Sequence, residues 1–196
     1  MKGTPVNRIL SSAVKVAGSL AVIGGTVVAA AMPAGAAVYT RAYGVGASGF
    51  IHINPVAEAF FNFTPVTSGA FVVPDFVTTG GILDRASTTE AISQVGSPKV
   101  YVGSTVDQLN ATLATASCRV GFFGKVGETT IQAGSITVTG LPNIPLLRNP
   151  GINTKIFLPG YTVTLNKQSY VAGIRTVTAI YVTSFLQTLS IGVTRC

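Results

Sequence analysis

The sequence is poor in the residues that carry most enzyme chemistry. Its 196 residues include one histidine, two cysteines and no tryptophan, and only 10% are charged. A zinc site needs three or four His, Cys, Asp or Glu ligands close together, and the sequence has no such cluster. No metal site and no cofactor are therefore predicted, and any Ser-His-Asp triad would have to use His52.

His52 lies between Ile51 and Ile53, in a segment that has the pattern of a short strand. A histidine in this setting is best interpreted as a structural or surface residue. A general base is the alternative, and it would need a nucleophile and an orienting acid that the pattern does not identify.

The acidic residues are few and widely spaced, with six in the whole chain. Two pairs, Asp75 with Asp84 and Glu90 with Asp107, are the candidates for the carboxylate pair of a glycosidase. Nothing in their spacing brings either pair together. A solvated turn or edge charge is the preferred interpretation of each residue, and a carboxylate-based hydrolase is the lowest-ranked alternative.

The ten basic residues after residue 36 are scattered and form no run. A nucleic-acid interface needs clustered Lys and Arg to neutralise phosphates, so no nucleic-acid partner is predicted. The excess of positive charge is compatible with a weak, unspecific attraction to an anionic cell wall or membrane surface.

The first part of the chain has the pattern of a secretory signal peptide. Residues 1–15 contain three basic and no acidic residues, and residues 16–31 are apolar or small. Small residues at Ala34 and Ala36 complete a cleavage site, which fits cleavage after Ala36 or after Ala37. The competing interpretation is a retained membrane helix, but the run is short for a span of about 20 residues and glycines interrupt it.

Residues 1–36 are therefore predicted as a signal peptide and residues 37–196 as a single domain. Three of the 13 basic residues and none of the six acids lie in the signal, which leaves a net charge of about +4. The expected location is secreted, extracellular or associated with the cell wall. No transmembrane anchor is expected after cleavage.

The domain is predicted to be all-β, an antiparallel β-sandwich or a partly open barrel. Short β-branched and aromatic runs alternate with Gly and Pro turns along the whole segment, as in such folds. The clearest strands are predicted over residues 175–183 and 188–195. Residues 105–120 are predicted as one long strand, and a helix up to Leu113 is the alternative.

Cys118 and Cys196 are the only cysteines. In an exported chain they are expected to form one disulfide, and two free thiols are the alternative. The bridge would close a loop of about 79 residues, which the loop-entropy account values at roughly 4 to 5 kcal/mol. Its expected role is stability.

Aromatic residues offer the main candidates for a binding face. The cluster of Phe60, Phe61 and Phe63 is predicted to cap the core, with an exposed binding patch as the alternative. Tyrosines are possible platforms for sugar rings, although at least three are expected in the core or at strand ends; they are Tyr39, Tyr43, Tyr101, Tyr161, Tyr170 and Tyr181.

Several short motifs occur in a characteristic order. Residues 42–49 read A-Y-G-V-G-A-S-G, residues 153–160 read N-T-K-I-F-L-P-G, residues 163–168 read V-T-L-N-K-Q, and the chain closes on Arg195-Cys196. Together they resemble the choice-of-anchor P family of secreted actinobacterial proteins. The resemblance covers most of the predicted domain and is best over residues 116–196.

The resemblance implies an exported β-rich protein and supplies no catalytic residues. This sequence departs from the pattern at Lys167, where an acid is expected, and at Tyr181, where a histidine is expected. The resemblance implies variable C-terminal anchors, and none is expected in this sequence after Cys196. The function predicted is that of a secreted or cell-envelope-associated structural or interaction protein without catalytic activity, with a cell-wall polymer, a glycan or a second copy as partner. A secreted glycan-binding or wall-polymer-binding module is the alternative.

Overall fold

Every regular element in the described part of the chain is a β-strand. The structure is a computed structural model that describes residues 40–61, 64–102 and 106–196. The predicted signal peptide lies outside the described residues. The strands are β1 (Arg41–Gly49), β2 (Ile53–Val56), β3 (Ala59–Phe60), β4 (Val66–Ser68), β5 (Phe71–Val73), β6 (Val77–Thr79), β7 (Ile82–Ala86), β8 (Glu90–Gly96), β9 (Lys99–Tyr101), β10 (Gln108–Asn110), β11 (Leu113–Gly121), β12 (Gly124–Gln132), β13 (Ser135–Thr137), β14 (Ile144–Pro145), β15 (Thr154–Leu158), β16 (Tyr161–Val171), β17 (Ile174–Ser184) and β18 (Gln187–Arg195).

The first layer is an antiparallel sheet in the order β15-β16-β17-β18-β1-β2, with β3 beside the start of β1. Its strands β16, β17 and β18 form consecutive hairpins rich in Val, Ile and Thr. These β-branched side chains fit a pleated, half-buried surface. The two C-terminal strands predicted from the sequence are therefore confirmed as β17 and β18.

The second layer is formed by two sheets whose strands continue into one another. The five-stranded sheet has the order β12-β11-β8-β7-β4, and the six-stranded sheet has the order β14-β13-β10-β9-β6-β5. Each of the five strands is joined through two residues to the strand at the matching place of the other sheet. The layer therefore bends along one line across all five strands. Ser97 and Ala133 lie on this line with positive φ angles of 43° and 45°.

The layers pack face to face around one main apolar core, with β11 against β17, β8 against β18 and β7 against β1. Burial of apolar surface between two sheets is the main stabilising term of such a fold. The predicted antiparallel β-sandwich is thus confirmed. Core side chains include Val45, Ile82, Val95, Val100, Leu109, Ile131, Ile136, Leu165, Ile180, Leu189 and Ile191.

The first layer also has a break that crosses four strands. Pairing stops at the row formed by Asn166, Ala179, Gly192 and Gly44, and it resumes beyond this row without a change of register. Asn166 and Gly192 have positive φ angles of 49° and 61° there. Because the local backbone departs from the pleat, buried residues follow one another directly along the strands near this row.

The disulfide predicted between Cys118 and Cys196 is present, with the two Cα atoms 5.8 Å apart. It links β11 of the second layer to the residue that follows β18 of the first layer. Cys196 also exchanges two backbone hydrogen bonds with Arg175, at 2.9 and 3.0 Å. The end of β18 is therefore fixed both within its sheet and to the opposite layer.

The single long strand predicted over residues 105–120 is wrong. The structure has two strands there, β10 and β11, separated by Ala111 and Thr112 at the bend of the second layer. The Thr112 amide bonds to the Gln132 carbonyl at 2.9 Å, and the Ala111 amide bonds to the Pro98 carbonyl at 3.0 Å. These bonds satisfy the backbone through the bend, so a period-two pattern alone does not reveal it.

Candidate functional site

A cleft lies at one end of the sandwich. It has a volume of about 670 Å³, and we call it the end cleft. Apolar and aromatic side chains form most of its wall, as is usual for binding sites. Its lining residues are Phe50, Ile51, Asp75, Phe76, Tyr101, Gly160, Tyr161, Ser184, Phe185, Leu186 and Gln187.

Gln187 holds one wall of the end cleft in place. Its side-chain oxygen accepts a hydrogen bond from the Ile51 amide at 2.7 Å, and its Nε2 donates to the Ile51 carbonyl at 2.7 Å. The Phe50 amide bonds to the Leu186 carbonyl at 3.1 Å. These bonds fix the β1–β2 turn to the β17–β18 turn. The rings of Phe50 and Phe185 are nonetheless 89% and 97% exposed.

The opposite wall comes from the second layer, at the turn between β5 and β6. The Phe76 amide bonds to the Val73 carbonyl at 3.2 Å, and the Tyr101 amide bonds to the Phe76 carbonyl at 3.0 Å. Asp75 lies in the same turn, is exposed, and is the one acidic residue of the lining. The end cleft is therefore an apolar site with a single negative charge at its wall.

A second apolar group lies at the hairpin tips of the other end. Phe122 and Phe123 in the β11–β12 turn are 97% and 100% exposed, and their rings meet edge to face at 5.3 Å. The neighbouring β16–β17 hairpin exposes three further large side chains. We call the set the tip cluster: Phe122, Phe123, Tyr170, Val171 and Ile174.

The two hairpins of the tip cluster are joined by Lys125, whose Nζ donates to the Gly173 carbonyl at 2.5 Å. Burial lowers the pKa of this lysine from its usual value. An ammonium group has three donor hydrogens, and this bond uses one of them. A positive charge with remaining donor capacity therefore lies next to the exposed phenylalanines.

A shallow polar depression of about 520 Å³ lies on the first layer at β15, β16 and β17. Lys155, Thr164 and Tyr181 form one cross-strand row of it, and the Lys167 ammonium lies 3.1 Å from the centre of the Tyr181 ring. Cation–π contact holds this lysine over the aromatic face. The lining contains two lysines and no acid.

Asp84 differs most from its predicted role. It is fully buried at 0% exposure, so the interpretation as a solvated turn or edge charge is wrong. Burial raises its pKa from 3.8 to about 7, and the Ser93 hydroxyl and the Gly44 amide offset part of that rise. Neither carboxyl oxygen has a partner at hydrogen-bond geometry among the described residues.

The structure does not bring the candidate acids together as catalytic pairs. Asp75 lies at the end cleft while Asp84 is enclosed within the sandwich, where no substrate reaches it. Glu90 accepts a hydrogen bond from Arg119 at 2.8 Å at the start of β8.

Asp107 precedes β10, where it accepts hydrogen bonds from the Thr139 amide and hydroxyl at 2.6 and 2.8 Å. Glu90 lies at the start of β8 and Asp107 lies beyond the end of β9, so the combined length of the two strands separates them.

His52 lies in the turn before β2 and not within a strand. Its side chain is exposed, and its Nε2 lies 3.2 Å from the Asn54 side-chain oxygen. Within residues 40–61, 64–102 and 106–196, no group of three or more His, Cys, Asp or Glu residues is arranged to hold a metal. None of the described elements is a helix of the length and apolarity that a membrane span requires.

The core-capping role predicted for the phenylalanine cluster is wrong for two of its members. Phe60 and Phe61 are about half exposed, and Phe63 lies outside the described residues. Ala59 takes the inward position of the two-residue edge strand β3, so Phe60 faces outward, where Arg41 lies 5.4 Å from its ring centre.

Four of the described tyrosines lie at strand ends or on surfaces, and Tyr43 is half-buried within β1. Tyr101 ends β9 and Tyr161 begins β16, and both line the end cleft. Tyr170 belongs to the tip cluster, and Tyr181 lines the polar depression. Tyr101 and Tyr161 are thus the two described tyrosines that lie at the terminus of a strand, and Tyr39 lies outside the described residues.

Comparison with known proteins identifies no relative of this chain. No family model matches the chain, and neither a curated protein nor a solved structure matches it significantly.

Proposed function

We propose that this protein is a secreted or envelope-associated structural or interaction protein that acts by binding and not by catalysis. The observation that carries this proposal is the exposure of large apolar side chains at both ends of the sandwich, in the end cleft and in the tip cluster. Exposed apolar groups of this kind mark interaction sites on soluble proteins. The signal-peptide pattern and the resemblance to exported actinobacterial proteins support an extracellular location.

The distribution of acids also supports a binding role. The one acid in the end cleft, Asp75, has no second carboxylate in the lining to work with. A glycosidase needs two carboxyl groups about 5 to 9 Å apart across a cleft.

A second candidate function is binding of a glycan or wall polymer in the polar depression of the first layer. Its lining combines Lys155, Lys167, Tyr181 and threonine hydroxyls. Lysines supply charge for an anionic group, while hydroxyls and aromatic edges supply contacts for a sugar ring. The absence of an acid in this lining favours an anionic polymer.

Fractionation of the native host tests the first proposal. We expect mass spectrometry to find the processed chain in the washed wall fraction, from which salt or detergent releases it. The same experiment with Lys155→Ala/Lys167→Ala addresses the second candidate, since loss of wall retention in this variant alone would favour polymer binding. Recovery of the unaltered protein only as a free molecule in the medium would overturn the envelope role.

A further inference from the structure

We propose that copies of this chain associate head to tail, with the tip cluster of one copy inserted into the end cleft of the next. This inference rests on the proposed interaction function and names a second copy as the partner. One end of the molecule supplies a protruding apolar group and the other supplies an apolar recess, so each copy carries both halves of the interface.

The protruding half is the pair Phe122 and Phe123. Their rings are almost completely exposed on a four-residue turn, stacked edge to face. Aromatic side chains bury large apolar areas at interfaces with little conformational freedom to lose. The receiving half offers aromatic partners in Phe50, Phe76 and Phe185 around a space of about 670 Å³.

The charges of the two halves are complementary. Asp75 is the acid of the end cleft, and Lys125 lies beside the two phenylalanines with unused donor capacity. Arg119, on the same hairpin, is already paired with Glu90. Insertion of the tip cluster therefore brings Lys125 toward Asp75, which favours the correct orientation of the partner.

The ends lie at opposite limits of β17, which is 11 residues long and therefore spans about 35 Å. A contact between different surfaces at opposite ends is heterologous, and it produces an open chain of copies rather than a closed symmetric dimer. We expect one hairpin tip in one cleft to bury less than the roughly 1,200 to 2,000 Å² of a stable interface. We therefore expect weak, concentration-dependent association.

A mixing experiment tests this arrangement. The tip variant is Phe122→Ser/Phe123→Ser and the cleft variant is Phe185→Ser/Leu186→Ser; all four side chains are exposed, so the fold is retained. In sedimentation velocity from about 10 µM to about 1 mM, the processed wild-type chain should form a series of oligomers. Each variant alone should be monomeric.

An equimolar mixture of the two variants should give a dimer and nothing larger, because one intact tip and one intact cleft remain. Phe157→Ser, which removes an exposed ring elsewhere, is the control and should behave as wild type. A wild-type chain that stays monomeric over the whole range would overturn the proposal, and so would a mixture that stays monomeric.

Charge exchange gives a second test. Asp75→Lys and Lys125→Asp should each weaken wild-type association about tenfold, since each places like charges at the contact. The double variant Asp75→Lys/Lys125→Asp should restore it. If the double variant instead associates more weakly than either single variant, with the two losses of affinity combined, the two residues do not meet at the contact.

Insertion of the tip cluster into lipid is the rival use of this surface. Binding of the wild-type chain, but not the tip variant, to phosphatidylglycerol vesicles, together with a monomeric mixture, would overturn the head-to-tail contact. Retention of a monomeric protein in the wall fraction would also overturn it, while the proposed envelope function would stand.

Discussion

The carboxyl group of Asp84 in the second layer faces the backbone amide of Gly44 in the first layer. Gly44 belongs to the row at which the pairing of the first layer stops. The break in the sheet therefore places a backbone donor opposite a buried acid, although the geometry falls short of a hydrogen bond. A buried carboxyl group in this setting is most stable in its neutral form.

This environment predicts that stability falls as the pH rises. The folded-state pKa of Asp84 is raised from 3.8 to about 7, so the folded protein binds the extra proton between these values. The free energy of unfolding should accordingly be highest near pH 4 and decrease by up to about 4 kcal/mol on going to pH 7. Urea denaturation at pH 4, 5.5, 7 and 8 measures this slope.

Asp84→Asn should remove most of the slope and should be more stable than wild type at pH 8. Asp75→Asn is the matched control, because Asp75 is exposed at a turn and its replacement should leave the slope unchanged. Parallel pH profiles for wild type and Asp84→Asn would refute a buried, proton-binding Asp84.

We predict that removal of the disulfide greatly lowers the free energy of unfolding. Cys118→Ala/Cys196→Ala should lower the free energy of unfolding by roughly 4 kcal/mol, because the unfolded chain gains the freedom of a long loop. Thiol titration of the folded wild-type protein should find no free cysteine. Reduced wild type should unfold at the denaturant concentration of the double variant, and a wild type unaffected by reductant would contradict this account.

Part of this fold follows from local patterns, and part depends on contacts between distant segments. The run of β-branched and aromatic residues from Val177 to Thr183 is enough to predict β17, and two cysteines in an exported chain are enough to predict one bridge. Turn residues likewise indicate where the hairpins are, because they favour the backbone conformations of tight turns. The strand and the hairpins depend on residues that are close together in sequence. The disulfide could be predicted because the chain has only two cysteines.

The sequence contains a pattern that indicates the buried position of Asp84, but the acidic nature of the residue led to the opposite prediction. Ile82, Asp84 and Ala86 share one face of β7, so period-two alternation places the acid on the core side. The usual exposure of acids argues against that placement.

The end cleft offered no comparable signal. Its walls come from turns as far apart in sequence as Phe50, Phe76 and Phe185, which only the packing of the two layers brings together.

We predict that replacement of Gln187 measurably weakens the wall of the end cleft. Gln187→Ala removes both side-chain hydrogen bonds to Ile51, and we expect a loss of about 1 to 2 kcal/mol and much faster hydrogen exchange at the Ile51 amide. Gln187→Glu keeps the acceptor for that amide, so it should preserve more protection there. Equal exchange at Ile51 in all three proteins would show that the side chain does not hold the turn.

The break in the first layer predicts an unusual sensitivity at Gly192. Its φ angle is +61°, and a Cβ atom there would lie 3.2 Å from the Cβ of Ala179. Gly192→Ala should therefore combine backbone strain with crowding between neighbouring strands, at a cost of about 2 to 3 kcal/mol. The free energy of unfolding from urea denaturation measures this cost.

Gly160→Ala is the matched control, because Gly160 also has a positive φ, +74°, but nothing lies within 4 Å of a Cβ atom there. It should lose only about 1 kcal/mol, the cost of the backbone conformation. The difference between the two variants isolates the crowding at the row of Asn166, Ala179, Gly192 and Gly44. Equal losses would mean that the sheet relaxes at this row and that the break does not depend on the missing side chain.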